Sequence, residues 1–254
     1  MNIGVLGPLY VSLDDTVHQV ELAPKPRTVL AVLLANAGRV VPVSSLVREI
    51  WEDDPPVSAL RNVQTYVFQS RKVLQQFTGL SARSVAGELL MTKPGGYVFS
   101  DRSAQFDYGA YRSLVTDGRG VIRQGDDAEG LTILSRALDI WRGPAFVDVT
   151  TGFALEAQRR ELEESRLGVI EDLSDVKIRM GMYHEAIADL AVPVFEHPLH
   201  EGLHCTYMRA LSMSGDRVRA LDVFGRLRLN LVSDLGIEPG TPVQELQYRI
   251  LNSG

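Results

Sequence analysis

Residues 58–77, SALRNVQTYVFQSRKVLQQF, carry the pattern that decides the fold of the N-terminal part of this chain. If the stretch is helical, with 100° between successive residues, its apolar residues recur at alternating spacings of three and four and form one buried stripe. The predicted stripe consists of Leu60, Val63, Val67, Ser70, Leu74 and Phe77. The opposite face carries Arg61, Gln64, Thr65, Phe68, Lys72 and Gln75, with Gln69 and Arg71 at its flanks.

This polar face has the chemistry needed to read DNA. Glutamine can pair bidentately with adenine, carbons of Phe and Thr can contact the thymine methyl group, and Arg or Lys can bind phosphates. Alternatively, the face is simply the solvated side of an amphipathic helix. Phe68 favours the first interpretation, because an aromatic side chain in a polar face stays exposed unless a partner covers it.

Length and composition indicate a globular protein of one large or two medium domains, with 254 residues of which 45% are hydrophobic. No apolar run approaches the roughly 18 residues of a membrane span, and the N-terminus has no basic region before its apolar residues, as a signal peptide would. A single cysteine, Cys205, excludes an internal disulfide. We therefore expect a cytoplasmic protein without membrane contact.

The net charge of −6 is distributed unevenly. Residues 55–93 contain five basic residues and one acidic residue, whereas residues 101–254 contain 17 basic and 24 acidic residues. A phosphate backbone attracts the first region and repels the second. The sequence therefore predicts two domains with different partners, at residues 1–101 and 102–254.

The segments before and after residues 58–77 also have patterns that predict secondary structure. Short apolar runs between residues 3 and 22 predict a small antiparallel sheet, and residues 25–37 predict a helix. Ser44 or Ser45 is predicted to cap a second helix that runs to Trp51. Residues 89–100, with Pro94-Gly95 at their centre, predict a β-hairpin. Three helices followed by a hairpin make a winged helix-turn-helix.

From residue 106 onward the chain predicts a helical repeat. Gly125, Gly181 and Gly215 each begin a helix-turn, and a small residue follows five positions later (Gly130, Ala186 and Ala220). Gly181 and Gly215 are 34 residues apart, which is the tetratricopeptide period. The predicted fold class is therefore mainly α with a small β component: a winged helix-turn-helix followed by an all-α tetratricopeptide-like helical-repeat domain.

Two groups of segments resemble a known family. KPRTVLAVLLANAGRVVPVSSLVREIWEDDPPVSALRNVQTYVFQSRKVL and TKPGGYVF resemble the DNA-binding domain of the Streptomyces antibiotic regulatory protein (SARP) family, which is similar to the OmpR-type winged helix. ALDIWRGPAFVDV, LEAQRRELEESRLGVIEDL, EHPLHEGLH and LVSDLGIEPGTPVQELQ resemble the bacterial transcriptional activation domain that follows it. Together the matches cover about residues 3–252 and leave little room for an ATPase or sensor domain, which indicates the small form of the family.

The resemblance implies a transcriptional activator of an antibiotic or other secondary-metabolite gene cluster. Such a protein would bind direct repeats near the −35 element of a promoter and recruit RNA polymerase through σ factor region 4 and the α C-terminal domain. The few cations per monomer predict two copies on DNA, on half-sites about one helical turn apart. No catalytic step, metal or cofactor is expected.

Face and resemblance together predict the DNA contacts. The predicted base-reading residues are Gln64, Thr65, Phe68 and Gln69. The predicted phosphate-binding residues are Lys25, Arg27, Trp51, Arg61, Tyr66, Arg71, Lys72 and Lys93, the last of them on the wing.

Three other segments have a pattern that is also found in functional sites. His200 to His204, HEGLH, matches the zinc-protease pattern H-E-x-x-H, but Gly202 lies inside it and no further His follows, so we interpret both histidines as partly exposed residues on a short helix. Asp117-Gly118-Arg119-Gly120 lacks the Lys and Ser/Thr of a phosphate loop and predicts a turn. Residues 156–166, EAQRRELEESR, predict a solvated helix face with i,i+4 ion pairs rather than a partner surface.

Two alternative functions remain open. A helical-repeat adaptor that binds only proteins would show no salt-sensitive DNA binding. A zinc hydrolase would retain about one equivalent of metal and would lose activity on His200→Ala or Glu201→Gln.

Overall fold

The computed structural model describes residues 1–13, 16–100, 102 and 104–252. The described chain is mainly helical with a small β component, which confirms the predicted fold class. It divides into two compact units, residues 1–113 with 139–163 and residues 114–138 with 164–254. The predicted domain boundary at residue 101 is a statement about which segments fold independently. It stays a prediction.

The first unit begins with a small sheet. Strands β1 (Asn2–Gly4), β2 (Tyr10–Leu13) and β3 (Thr16–Gln19) pair antiparallel, as predicted. A later strand, β7 (Gln105–Phe106), pairs parallel with β1 and gives the order β3-β2-β1-β7. Sequence patterns do not predict β7, because a two-residue strand is too short to show a periodicity.

The winged helix follows the sheet. Helices α1 (Pro24–Ala35), α2 (Val43–Trp51) and α3 (Ala59–Thr78) pack on one another. A short helix, α4 (Ala82–Ser84), and a π-helical segment (Val85–Leu89) lead into β5 (Leu90–Lys93) and β6 (Gly96–Phe99), which form the predicted hairpin. Strand β4 (Val41–Pro42), between α1 and α2, pairs with β6. These elements confirm the predicted winged helix-turn-helix.

The buried stripe of α3 differs from the prediction at its N-terminal end. It runs through Ala59, Val63, Val67, Ser70 and Leu74, all of them buried. Leu60, predicted to be buried, is 62% exposed. Leu60 belongs to the first turn of α3, at the edge of this stripe, and faces solvent. The buried hydroxyl of Ser70 is satisfied because it donates to the carbonyl of Tyr66 at 2.9 Å.

The predicted cap of α2 is wrong. The helix begins at Val43, so Ser44 and Ser45 lie inside its first turn, and Pro42 is the N-cap residue. The reason is pairing: β4 is bonded to β6, and the Val43 N–H donates to the carbonyl of Gly95 at 3.0 Å. This strand contact fixes the start of the helix without a serine cap.

A buried acid on α2, Glu49, caps a second helix, α7 (Phe153–Arg179). Its carboxylate accepts hydrogen bonds from the N–H groups of Gly152 (2.9 Å), Ala154 (2.8 Å) and Leu155 (3.0 Å). A Cβ on Gly152 would lie 2.1 Å from the carbonyl oxygen of Glu49, so a glycine is needed there. Glu49 therefore joins the winged helix to residues 139–163 of the same unit.

A second buried carboxylate ties the sheet to helix α5 (Asp107–Arg123). Asp107 accepts hydrogen bonds from the N–H groups of Val5 (2.9 Å) and Leu6 (3.0 Å), and it forms an ion pair with Arg142 at 3.2 Å. Burial raises the pKa of Asp107, while these hydrogen bonds and Arg142 act in the opposite direction. The carboxyl group thus supports the fold through its backbone contacts.

From Asp107 the chain forms helix pairs, as the repeat pattern predicts. The remaining helices are α6 (Asp127–Asp139), α8 (Tyr183–Glu196), α9 (Glu201–Met213), α10 (Arg217–Leu235) and α11 (Thr241–Asn252). The turns within the pairs contain Gly125, Gly181 and Gly215, whose φ angles of 92°, 78° and 92° favour glycine. Gly130, Ala186 and Ala220 are buried, and a Cβ on Gly130 would lie 2.4 Å from the Ile122 side chain.

Residues 117–120 and 156–166 both lie within these helices. Asp117 to Gly120 was predicted to be a turn but lies inside α5, where a Cβ on Gly118 would come within 2.7 Å of Leu134. The glycine serves close packing there rather than a turn. In residues 156–166, the Glu156–Arg160 pair confirms the predicted i,i+4 spacing, and hydrogen bonds from Arg159 and Arg160 lower the pKa of Glu156 to about 2. Glu163, however, accepts a hydrogen bond from the Ala145 N–H and supports the fold.

In the described part of the chain, no helix combines the length and apolarity that crossing a membrane requires.

Candidate DNA-binding surface

The predicted base-reading residues share one exposed face of α3. Gln64, Thr65, Phe68 and Gln69 are all exposed, and Phe68 is 56% exposed. Neither Gln64 nor Gln69 has a side-chain hydrogen bond to any described residue, so their amide groups can bind a ligand. The Thr65 hydroxyl donates to the carbonyl of Arg61 at 3.1 Å, which leaves its methyl group available. The buried stripe through Val63, Val67 and Ser70 fixes the direction of this face.

A cation lies beside the aromatic ring of this face. The Lys72 ammonium is 5.1 Å from the centroid of the Phe68 ring, and both residues are exposed. A cation–π contact at an exposed position contributes only about 0.5–1 kcal/mol. It therefore orients Lys72 along the edge of α3 without preventing it from binding a phosphate.

Three predicted phosphate-binding residues form a column across the winged helix. The Lys25 ammonium, at the start of α1, lies 5.0 Å from the centroid of the Trp51 ring at the end of α2. The Trp51 ring in turn stacks on Tyr66 of α3, with centroids 6.2 Å apart and 27° between the ring planes. The column joins the start of α1 and the end of α2 to the first half of α3, and it presents Lys25 as an exposed cation.

Arg61, in the first turn of α3, and Lys93, on the wing, are both exposed. Lys93 ends strand β5, directly before the Pro94-Gly95 turn of the wing. The wing is held in place by Gly96, where a Cβ would lie 2.2 Å from the carbonyl oxygen of Val41. The structure thus presents Lys93 on a firmly packed hairpin.

Arg71 is held inside the winged helix. Its Nε donates to the carbonyl of Leu90 (2.9 Å), and its Nη2 donates to the hydroxyl of Thr92 (2.8 Å). The guanidinium also lies 6.0 Å from the centroid of the Tyr97 ring, and burial lowers the pKa of Arg71. These contacts join α3 to both strands of the wing. Thr92 was not predicted to take part in this surface, and no sequence pattern signals its contact with Arg71.

Arg27 is also engaged within the chain. Its guanidinium donates to the carbonyls of Asp148 and Val20, both at 3.0 Å, and forms an ion pair with the Asp148 carboxylate at 3.4 Å. The side chain is about one quarter exposed. These contacts give Arg27 a structural role and leave it poorly placed to bind a phosphate.

The H-E-x-x-H segment is built into a helix start. His200 is the N-cap residue of α9, where its Nδ1 accepts a hydrogen bond from the Leu203 N–H at 3.3 Å. His204 was predicted to be partly exposed but is 3% exposed, and burial lowers its pKa. Its Nδ1 lies 3.0 Å from the carbonyl of His200. Among the residues that the structure describes, no three His, Cys, Asp or Glu side chains form a group suited to a metal ion.

The winged helix, its exposed α3 face and the helical repeats after it define a class of protein, the DNA-binding transcriptional regulators with an OmpR-type domain. Residues 17–99 match the family model "Transcriptional regulatory protein, C terminal". Residues 106–251 match "Bacterial transcriptional activator domain". The chain belongs to the Streptomyces antibiotic regulatory protein family, which confirms the resemblance.

Individual relatives show how far the similarity extends. The regulatory protein DnrI from Streptomyces peucetius is 37% identical, over 100% of this chain and 93% of its own length. The regulatory protein AfsR from Streptomyces griseus is 32% identical over 91% of this chain, which spans only 22% of AfsR. The solved structure of EmbR from Mycobacterium tuberculosis, in complex with a low affinity phosphopeptide, is 32% identical with a TM-score of 0.85, over 98% of this chain and 64% of EmbR.

Proposed function

We propose that this chain is a sequence-specific activator that binds double-stranded promoter DNA through α3. The observation that carries the proposal is the exposed α3 face, in which free glutamine amides and an aromatic ring lie between cations. A helix of this kind fits the major groove, where each base pair presents a distinct pattern of donors and acceptors. Gln64, Thr65, Phe68 and Gln69 are the proposed base-reading residues.

Phosphate binding is assigned to the exposed cations and to the ring column. Lys25, Arg61, Lys72 and Lys93 supply positive charge, while Trp51 and Tyr66 hold Lys25 in position. Arg71 is proposed as a positioning residue that holds the wing against α3. Arg27 is left out of the proposed contacts because Asp148 and Val20 occupy its guanidinium.

The number of exposed phosphate-binding cations limits the affinity of one copy of the chain for DNA. Four phosphate contacts give a slope of about −3.6 in a plot of log affinity against log salt concentration. Such a slope is modest, so we propose that two copies bind together on direct repeats about one helical turn apart. Binding of a homodimer would double the slope.

Membership of the family supports the remaining parts of the proposal. The bound protein would lie near the −35 element and recruit RNA polymerase through σ factor region 4 and the α C-terminal domain. The controlled genes would form an antibiotic or other secondary-metabolite cluster. We propose a cytoplasmic protein that acts by binding alone, with no catalytic step and no cofactor.

The proposal is tested by a binding titration of the purified chain on promoter DNA from beside its own gene, over a series of salt concentrations. Lys72→Ala is expected to weaken binding to all sequences and to reduce the magnitude of the salt slope by about 1 per copy bound. Gln69→Ala is expected to reduce the preference for promoter over unrelated DNA by roughly 5- to 150-fold, since a bidentate base contact contributes about 1–3 kcal/mol.

Arg136→Ala is the matched control, because Arg136 is an exposed cation on α6 of the helical repeats. This variant should bind as wild type does. Folded wild-type protein that binds no DNA at low salt would contradict the proposal and would favour a helical-repeat adaptor that binds only proteins.

A further inference from the structure

The first compact unit contains a cavity of about 300 Å³ beside the end of α1. The cavity lies between residues 35–39, the start of α5 and the first half of α7, and Val5 and Phe146 also line it. Phe146 has a φ angle of 54°, and strained conformations of this kind are concentrated at functional and ligand sites. Small-molecule sites begin at about this volume. None of the lining residues is a proposed DNA contact, so the cavity lies outside the proposed DNA-binding surface.

One part of the cavity wall attracts hydrogen-bond donors and positive charge. Helix α1 ends there, and none of residues 32–35, its last turn, is basic, so that turn does not offset the negative end of the helix dipole. Gln158 of α7 also lines the cavity, and its Oε1 is buried without a hydrogen-bond partner among the residues that the structure describes. Such acceptors are rare in folded proteins. The terminal torsion of a glutamine side chain is soft, so this amide can turn toward a donor in the cavity.

Another lining residue supplies an available positive charge. Arg39 is exposed, and its guanidinium has no hydrogen bond or ion pair to any described residue. The charge of Arg112 is already engaged, because its Nη2 donates to Glu161 at 2.7 Å and its guanidinium lies 5.7 Å from the centroid of the Tyr108 ring. Arg39 is therefore the lining cation that can bind a carboxylate, which matches the fork of a guanidinium.

We propose that this cavity binds a small zwitterion, a single amino acid. Its ammonium group donates to acceptors at the end of α1 and to Oε1 of Gln158, and its carboxylate pairs with Arg39. A ligand without an anionic group leaves Arg39 unpaired, and a simple anion meets the negative end of the α1 dipole. A zwitterion satisfies both parts of the wall. A cavity at the lower limit of small-molecule sites suits one amino acid better than a peptide.

Binding at this cavity stabilises the first unit. The amino acid contacts both α1 and α7, so it joins the winged helix to residues 139–163 of the same unit. A ligand that binds only the folded state raises its stability by mass action. The effect is measured without DNA, so its outcome does not depend on the proposed DNA binding.

A thermal-shift screen of the full chain, with each of the twenty protein amino acids at about 10 mM, is the first test. We expect at least one of them to bind with a Kd of about 1 mM or below. At ten times its Kd, such a ligand raises the melting temperature by about 2–4 °C.

Matched analogues of the best amino acid test the two charges. Its amide lacks the carboxylate, and the corresponding acid without the amino group lacks the ammonium. Isothermal titration calorimetry should show at least about tenfold weaker binding for each analogue, since each has lost a hydrogen bond to or from a charged group. An amide or a deaminated acid that binds as tightly as the amino acid would overturn the zwitterion proposal.

Arg39→Ala and Gln158→Leu test the assigned contacts, and each should weaken binding of the best amino acid at least about tenfold. Without ligand, Gln158→Leu should be at least as stable as wild type in urea, because the substitution removes an unpartnered buried acceptor. Arg48→Ala is the matched control, since Arg48 is an exposed cation of the same unit outside the cavity, and it should bind as wild type does. No thermal shift with any of the twenty amino acids, or equal loss in Arg39→Ala and Arg48→Ala, would overturn the proposal.

Discussion

At the scale of single residues, Arg71 shows that a charged side chain on α3 can be bonded within the protein rather than to a ligand. Its Nε and Nη2 are bonded to Leu90 and Thr92 of the wing, so its charge acts inside the winged helix. The proposed role is to fix the distance between α3 and the wing. Specific binding depends on that distance, whereas a phosphate contact depends on the charge alone.

This role gives a prediction for two variants. Thr92→Val removes one hydrogen bond to Arg71 without changing any charge, and we expect specific DNA affinity to fall about fivefold, equivalent to about 1 kcal/mol. Arg71→Gln should also weaken binding while the salt slope stays at the wild-type value. Binding titrations over a salt series provide both quantities. A slope reduced by about 1 in Arg71→Gln, as for Lys72→Ala, would show that Arg71 binds a phosphate.

The sequence predicts which residues are charged and which face of a helix they share, and little about their partners. Gln64, Phe68 and Gln69 are exposed as predicted because helical periodicity alone assigns them to the polar face. Arg27 is different, because its partners Val20 and Asp148 belong to other segments of the chain. Such long-range contacts cannot be predicted from the local periodicity of the sequence.

At the scale of elements, the helices and the hairpin were predictable because each contains its own signal. Helices α1, α2 and α3 show apolar residues at spacings of three and four, and the wing has Pro94-Gly95 between two short apolar runs. The exceptions arise where tertiary contacts, and not the local sequence, determine the backbone conformation. Strand pairing starts α2 in place of a serine cap, and Gly118 allows α5 to approach Leu134 instead of forming a turn.

The capping of α7 by Glu49 gives a prediction at this scale. Glu49→Gln replaces one acceptor oxygen by an NH₂ group that cannot accept from the N–H groups of Gly152, Ala154 or Leu155. We expect the free energy of unfolding to fall by about 1–3 kcal/mol. Urea denaturation measures this change.

Glu88→Gln is the control, since Glu88 is exposed in the same unit. Its effect should stay within about 0.5 kcal/mol, as for most surface substitutions. Equal effects in the two variants would show that Glu49 does not stabilise the start of α7.

At the scale of the whole molecule, the charge distribution and the two family models agree on two parts of different character. The matched segments, residues 17–99 and 106–251, coincide with the cation-rich winged helix and the acidic helical repeats. The compact units do not follow this linear order, since residues 139–163 belong with the first unit. Buried Glu49 explains part of that arrangement, and its burial could not be predicted because carboxylates are rarely found inside.

The central claim is that the exposed face of α3 lies against DNA bases, and site-specific photocrosslinking tests it most directly. Benzoylphenylalanine is placed at Phe68 in one variant and at Phe153 in another, both exposed aromatic positions of the first unit. Each variant is irradiated on promoter DNA from beside the gene. The account predicts crosslinks to DNA bases from position 68 and none from position 153. DNA-bound protein that crosslinks from position 153 but not from position 68 would contradict it.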